Sequence, residues 1–123
     1  MAEEMTTIGD IQVLRCAADG PLLRGGAETV DVVGEAVWGQ AELVVVPVAR
    51  LDPGFFTLSS GIAGEITQKF VNYRRRWAVE GDIGEHLAAS SALRAFVAEA
   101  DRGRQLWFVA DPAELAERLA AAA

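Results

Sequence analysis

The stretch that most constrains this fold is Leu43-Val44-Val45-Val46, four apolar residues in a row that close at Pro47 and the turn Leu51-Asp52-Pro53-Gly54. A run with no polar alternation suits a strand covered on both faces, as in a parallel sheet flanked by helices. The flanking sequence supplies partners for such a strand. Ile11-Gln12-Val13-Leu14 begins a strand that reaches Ala17, and Asp19-Gly20 signals a hairpin into Pro21-Leu22-Leu23, which predicts an antiparallel pair. The residues before Ile11 read as a polar leader. From Glu28 onward the period changes: Val30, Val33 and Val37 recur at helical spacing. Valines and the mid-segment Gly34 are weak helix formers, so burial against a sheet must hold this helix.

Ser59-Ser60 are favourable N-caps for a second helix, with Ile62, Ile66, Phe70 and Tyr73 on one stripe. Close helix-to-sheet packing is the expected use of Gly64. Trp77-Ala78-Val79 reads as a short strand ending at Glu80-Gly81-Asp82. A third helix presents Leu93, Phe96, Val97 and Ala100, with Gly103 as its expected left-handed cap. Leu106-Trp107-Phe108-Val109 is the last strand, and Asp111-Pro112-Ala113-Glu114 opens a final helix through Leu115 and Leu119. The element order β-β-α-β-α-β-α-β-α predicts a single α/β domain over residues 1–123: helices on a mostly parallel sheet, an antiparallel N-terminal strand pair, and flexible ends at about 1–8 and 121–123. Trp38, Trp77 and Trp107 adjoin apolar runs and are expected in the core.

Composition narrows the function classes. A chain of 123 residues that is 51% apolar and 24% charged has one core to build and enough apolar surface to build it, which excludes a disordered or collagenous chain. Eleven Lys and Arg against 18 Asp and Glu leave a net charge of −7, so duplex nucleic acid and anionic membrane surfaces are not the expected partners. The single cysteine, Cys16, has no intrachain partner, the start of the chain lacks a signal-peptide pattern, and the apolar run around Leu43 is far too short for a bilayer. A cytoplasmic protein is the expectation.

Several groups of residues are candidates for function. In an open α/β sheet ligands gather beyond the carboxyl ends of the strands, where Asp52, Ser59, Glu80, Asp82, Glu85, His86 and Asp111 should lie. From these, Asp82, His86 and Asp111 form a candidate ligand edge: Asp82 and Asp111 could meet a divalent cation with His86, or orient His86 to deprotonate Ser59 or Ser60. No motif supports either chemistry, and Gly61-Ile62-Ala63-Gly64 fits neither the P-loop nor the dinucleotide fingerprint. No cofactor or metal is therefore expected, and no catalytic residue is assigned. Glu65 and Lys69, four apart, share a polar helix face with Gln68 and Asn72. Together with the basic run Arg74, Arg75 and Arg76, that face could dock an acidic patch on a protein partner. Phe55 and Phe56 are adjacent in a loop, so one is expected to cover the sheet edge and the other to be free for self-association into a homodimer.

From Phe55-Phe56-Thr57-Leu58-Ser59-Ser60 through Val71-Asn72-Tyr73, then Ala78-Val79-Glu80-Gly81-Asp82, Leu93-Arg94-Ala95-Phe96 and Gly103 to Val109, the chain resembles a bacterial family known as domain of unknown function 4180. The resemblance implies a small α/β protein without an established activity, cofactor or catalytic residue. A weaker similarity is to the STAS domains, the anti-sigma-factor-antagonist fold, whose element order is the one derived above. Their hallmark is a phosphorylatable serine in an Asp-Ser-Ser/Thr-Gly-Leu-Gly type sequence. The matching stretch here is Leu58-Ser59-Ser60-Gly61-Ile62-Ala63-Gly64, with Leu58 in place of the aspartate. By this similarity Ser59 and its neighbour Ser60 are candidate phosphoacceptors. A phosphate there would gain from the unpaired N–H groups of a helix start. The leading expectation is a non-enzymatic interaction or regulatory module. The alternative is a small enzyme or a metal or metabolite binder using the acidic strand-end edge.

Overall fold

The computed structural model describes residues 3–122. Its sheet has five strands in the order of the chain: β1 (Glu3–Ile8), β2 (Ile11–Cys16), β3 (Leu43–Pro47), β4 (Arg76–Glu80) and β5 (Leu106–Val109). β1 runs antiparallel to β2, and every later neighbour pairs in parallel. The connections carry α1 (Ala27–Trp38), α2 (Ile62–Asn72), α3 (Gly84–Ala89) and α4 (Ser91–Arg102), and α5 (Pro112–Ala122) follows β5. The expected α/β class and mostly parallel sheet are what the structure has.

The side chains of each strand alternate between two faces. Leu14, Val44, Val46, Trp77, Val79 and Phe108 point to a first face, where residues of α1, α2 and α4 join them in the larger core. Val13, Leu43, Val45, Ala78, Trp107 and Val109 point to the second, which is covered by Leu115 and Leu119 of α5. This explains the unbroken apolar run in β3: both faces of the strand are roofed. Trp107 lies on the second face with the guanidinium carbons of Arg76 and Arg118 at 4.6 and 4.3 Å from its ring centre.

The antiparallel pair lies one strand earlier than the sequence predicts. The supposed polar leader is β1, and the hairpin turns at Gly9-Asp10, where Gly9 takes the positive φ of 60° that the first central position of a type II′ turn requires. Asp19-Gly20 instead belongs to a loop, and Leu23 makes an isolated parallel bridge with Leu51. Residues 3–8 are thus strand, and residues 121 and 122 belong to α5, so neither stretch is a loose end. Residues 1, 2 and 123 of the expected flexible ends lie outside the described residues.

Other corrections follow from packing. α1 buries Thr29, Val32, Val33 and Ala36, leaving Val30 and Val37 exposed, because the buried stripe is rotated round the helix from the Val30-Val33-Val37 stripe and shares only Val33 with it. Tyr73 lies past the end of α2 and is exposed. Gly64 faces open space rather than the sheet, and Gly103 ends α4 in extended backbone (φ −94°) rather than left-handed backbone. The short α3 interrupts the expected β4-to-α4 connection.

One buried cation ties the edge of the sheet to its loops. Arg50 is 2% exposed. Its Nη1 donates to Glu3 Oε2 at 2.9 Å, to the Ala17 carbonyl at 3.1 Å and to the Asp19 carbonyl at 3.3 Å, and its Nε donates to the Pro21 carbonyl at 2.9 Å. The backbone reinforces the same seam, through Leu23 N–H to the Arg50 carbonyl and Asp52 N–H to the Leu23 carbonyl. Further along the same loop, Gly25 approaches α2 so closely that a Cβ would fall 2.4 Å from Glu65 Cβ, at a φ of 95°.

The loop enters α1 through Glu28. Its Oε2 accepts from Arg24 N–H, Gly26 N–H and the Thr29 hydroxyl at 2.7–2.9 Å. Burial alone would push its carboxyl up, but these hydrogen bonds outweigh it and lower the pKa from 4.5 to about 2.

Two outcomes are expected. Arg50→Ala, which strands a buried Glu3 and three carbonyls, should lower the unfolding free energy by about 3–5 kcal/mol in urea titration, and Arg50→Lys should not restore it because an ammonium lacks the fork. An unchanged midpoint would contradict this seam. Because the folded pKa of Glu28 lies below its unfolded value, its contribution is fully present above pH 4.5 and is lost as pH falls towards about 2. The difference in thermal midpoint between wild type and Glu28→Gln should therefore shrink from pH 5 to pH 2.

Candidate functional site

The carboxyl ends of the parallel strands are closed on one side and open on the other. Over β2 and β3 the loops 17–26 and 48–61 are stitched together by Arg50, by the Leu23–Leu51 bridge and by an Arg24–Asp52 ion pair at 3.3 Å. Phe55 and Phe56 fill the space beneath. Both are buried, at 0% and 7% exposure, correcting the expectation that one is free for self-association. Phe55 packs edge-on against Phe56, Trp77 and Phe96, while Phe56 stacks flat on His86 with ring centres 3.9 Å apart.

The serine pair does not cap α2. Leu58–Ser60 forms a turn of 3-10 helix, and α2 begins after Gly61, whose φ of 83° resets the chain direction. Ser60 Oγ donates to the Gly54 carbonyl at 2.6 Å and accepts from Ile62 N–H at 3.2 Å, so it staples the turn to the start of α2. Ser59 is exposed and lines a cavity of about 510 Å³ together with Thr57, His86 and Ser90. Ser59 and His86 therefore share one cavity, but no hydrogen bond joins either serine to His86, or His86 to Asp82 or Asp111, among the described residues.

Most of the expected acidic edge has local work. Glu80 Oε1 accepts from Arg15 Nη1 at 2.8 Å on the α5 face of the sheet. Asp52 Oδ1 accepts from Gly54 N–H at 2.8 Å, Asp111 Oδ1 from Glu114 N–H at 2.9 Å, and Glu114 reaches back to Ala110 N–H. Asp82 Oδ1 accepts from Gly84 N–H at 2.8 Å. Asp82 also lines a second cavity, of about 370 Å³, between the ends of β4 and β5. His86 and Asp111 are not part of that cavity, but Asp101 of α4 is. No three His, Cys, Asp or Glu among the described residues are grouped so as to hold a metal ion. Cys16 is buried, and burial, with Glu3 next in effect, pushes its thiol from 9.0 up to about 12, which leaves it a poor nucleophile.

The polar face of α2 is built as its spacing predicts. Lys69 Nζ lies 3.4 Å from Glu65 Oε1, and Gln68 donates to Asn72 at 2.7 Å. The arginine run next to it is divided. Arg76 Nε donates to the Arg104 carbonyl at 2.6 Å and its guanidinium packs on Trp107, and Arg75 is half buried, so Arg74 (φ 57°) is the exposed member of the run.

The most exposed large apolar residue among the described residues lies elsewhere. Trp38, expected in the core, is 90% exposed at the end of α1. With Val30 and Gly34 of α1, and Met5 of β1, it lines a groove of about 630 Å³ between α1 and the edge strand. Asp31 and Glu35 stand on the rim, and neither has a salt-bridge partner among the described residues. Burial, then the neighbouring Glu3 and Asp31, raise the pKa of Glu35. A Cβ on Gly34 would meet nothing within 4 Å, so this mid-helix glycine has no packing reason inside the chain. The signal was present in the sequence as the second apolar stripe Val30, Gly34, Val37 and Trp38, hidden by the richer Val32-Val33 direction.

The family model described as domain of unknown function (DUF4180) matches residues 8–119. The chain belongs to the DUF4180 family. No curated protein matches it, and no solved structure does. The DUF4180 match takes in both carboxyl-edge cavities and all of α1, and it begins at Ile8, the last residue of β1. No described helix is long and apolar enough to cross a membrane.

Removing the Ser60 hydroxyl should matter and removing that of Ser59 should not. Ser60→Ala is expected to lose about 0.5–1.5 kcal/mol of unfolding free energy and Ser59→Ala less than about 0.5, by urea titration of each variant. Equal effects would show that the staple has no energetic role.

Proposed function

We propose that this DUF4180 chain is a cytoplasmic, non-enzymatic protein-interaction module whose docking face is the groove between α1 and β1. One observation carries the reading: Trp38, a residue type that dominates binding energies at interfaces, stands 90% exposed beside an apolar groove. Three further features support it. Gly34 weakens α1 by roughly 1 kcal/mol relative to alanine without packing on anything in the chain, and its bare backbone lets a partner approach closely. β1 is an edge strand with one side unpaired, beside the groove. The rim is acidic, through Asp31 and Glu35.

That charge selects the partner. Two copies placed face to face on this groove would set Asp31 and Glu35 against their own equivalents, adding to a repulsion that already raises the pKa of Glu35. The complementary partner is a protein segment with an apolar anchor and flanking Lys or Arg. The expected docking residues on α2, Glu65, Lys69 and Asn72 with Arg74, have lost Phe55 and Phe56 to the core, and their exposed apolar neighbours Val71 and Tyr73 stand out less than Trp38 does. Ser59, exposed at the opposite end of the molecule's first face, is the serine a modifying enzyme could reach, since Ser60 is held in the turn.

The test uses the full chain with a helical Leu/Lys peptide and a Leu/Glu peptide of the same pattern, each carrying a dye whose fluorescence anisotropy reports binding to the wild type and to every variant alike. The Lys peptide should bind and the Glu peptide should not. Trp38→Ala should weaken binding by about 2 kcal/mol, roughly thirtyfold, and leave the thermal midpoint unchanged. Binding that survives both Trp38→Ala and Gly34→Leu would reduce the effect to net charge and sink the reading. A light-scattering dimer that Trp38→Ala dissociates would replace the basic partner by a second copy.

A further inference from the structure

We infer that the crevice between the carboxyl ends of β4 and β5 is a binding site for a small organic cation: a primary amine or guanidinium joined to an apolar body of about amino-acid size. The argument begins with topology. The chain leaves β2, β3 and β4 towards the first face of the sheet, where α1, α2 and α4 pack, but it leaves β5 towards the second face, where α5 packs. β4 and β5 are therefore the adjacent parallel strands whose outgoing connections part to opposite faces. Because the two outgoing segments diverge, neither crosses the gap between the two strand ends, and ligands of open α/β sheets bind outside the carboxyl ends of the strands. The contrast within this molecule is direct: over β2 and β3, whose connections share a face, Arg50 and the Leu23–Leu51 bridge close the edge.

The cavity of about 370 Å³ lies in that gap. Its depth is apolar, lined by Leu87, Val97 and Phe108, and its mouth carries Asp82 and Ala110. The chain passes tightly beside it: Gly81 has a φ of 140°, and a Cβ there would press within 2.9 Å of the Val48 side chain. Two carboxylates face the space and they are not equivalent. Asp101 Oδ1 accepts from Phe108 N–H at 2.9 Å and from Arg118 Nη1 at 3.0 Å, so its charge is matched. Asp82 accepts only from Gly84 N–H and has no salt-bridge partner among the described residues. No Lys, Arg or His is among the residues lining the cavity. A negative charge at the mouth of an apolar slot, with no cation to balance it, favours a ligand whose cationic head stays at the wet rim while its apolar body displaces water below. The same arrangement disfavours phosphates and carboxylates.

The probes are 2-phenylethylamine, the uncharged 2-phenylethanol and the anionic 3-phenylpropionate, each titrated into the full isotope-labelled chain at low salt. The amine alone should shift the amide resonances of Gly81, Asp82 and Ala110. Asp82→Asn should weaken its affinity roughly fivefold, the scale of one exposed ion pair. Val97→Phe, which fills the slot, should abolish binding, and Ala110→Phe at the exposed mouth should do the same in a variant whose core is untouched. Equal binding of all three probes, no binding of the amine, or binding unchanged by Ala110→Phe would each overturn the assignment. Trp38→Ala, at the opposite edge of the sheet beside β1, should leave these titrations as they are in the wild type.

Discussion

The Arg50 guanidinium is the point on which the β1 edge of the sheet and the loop after β2 depend. It sits beyond the end of β3 yet satisfies the carbonyls of Ala17, Asp19 and Pro21 and the carboxylate of Glu3 at the start of β1. A buried ion pair by itself is weak grounds for stability, because desolvation offsets most of the attraction. What makes this one consequential is its number of acceptors: four groups from two separate segments converge on one fork. An edge strand with few apolar residues and a loop with no regular structure are thereby fixed in place.

Once that seam is closed, the remaining architecture follows from which way each connection turns. Helices between successive parallel strands crowd the first face and leave the second to α5 alone. The first face is therefore fully roofed near β3 and β4 and incompletely roofed at the β1 edge, where the groove beside Trp38 lies. The parting of connections at β4 and β5 leaves the other opening. The groove beside Trp38 and the crevice between β4 and β5 thus have a common origin in a sheet whose strand order is the order of the chain.

Much of this was legible in the residues. β3, β4 and β5 announce themselves by unbroken apolar runs, and α5 by the Asp111–Glu114 cap, because those signals are local. β1 was not legible: Met5 and Ile8 alone carry its apolar pattern, and the burial of Glu3 depends on a cation 47 positions away. α1 was read as a helix but its buried face was placed to one side, since the structure buries Thr29 and Ala36, which are too polar or too small to mark a stripe, in place of Val30 and Val37. The candidate site was legible by half. Asp82 follows from its place after β4, but Asp101 reaches the same cavity only because α4 folds back along the sheet, and no spacing in the sequence states that.

The division of labour between the two faces of the sheet also has a consequence for biosynthesis. Val13, Leu43, Val45 and Ala78 are roofed by a helix that is made after every strand they belong to. While the chain is being synthesised, the first face can acquire its helices one at a time, as each connection emerges. The second face stays bare until α5 appears. A nascent or prematurely terminated chain would therefore hold a nearly finished sheet with one naked apolar surface, the kind of intermediate that chaperones retain and that otherwise aggregates.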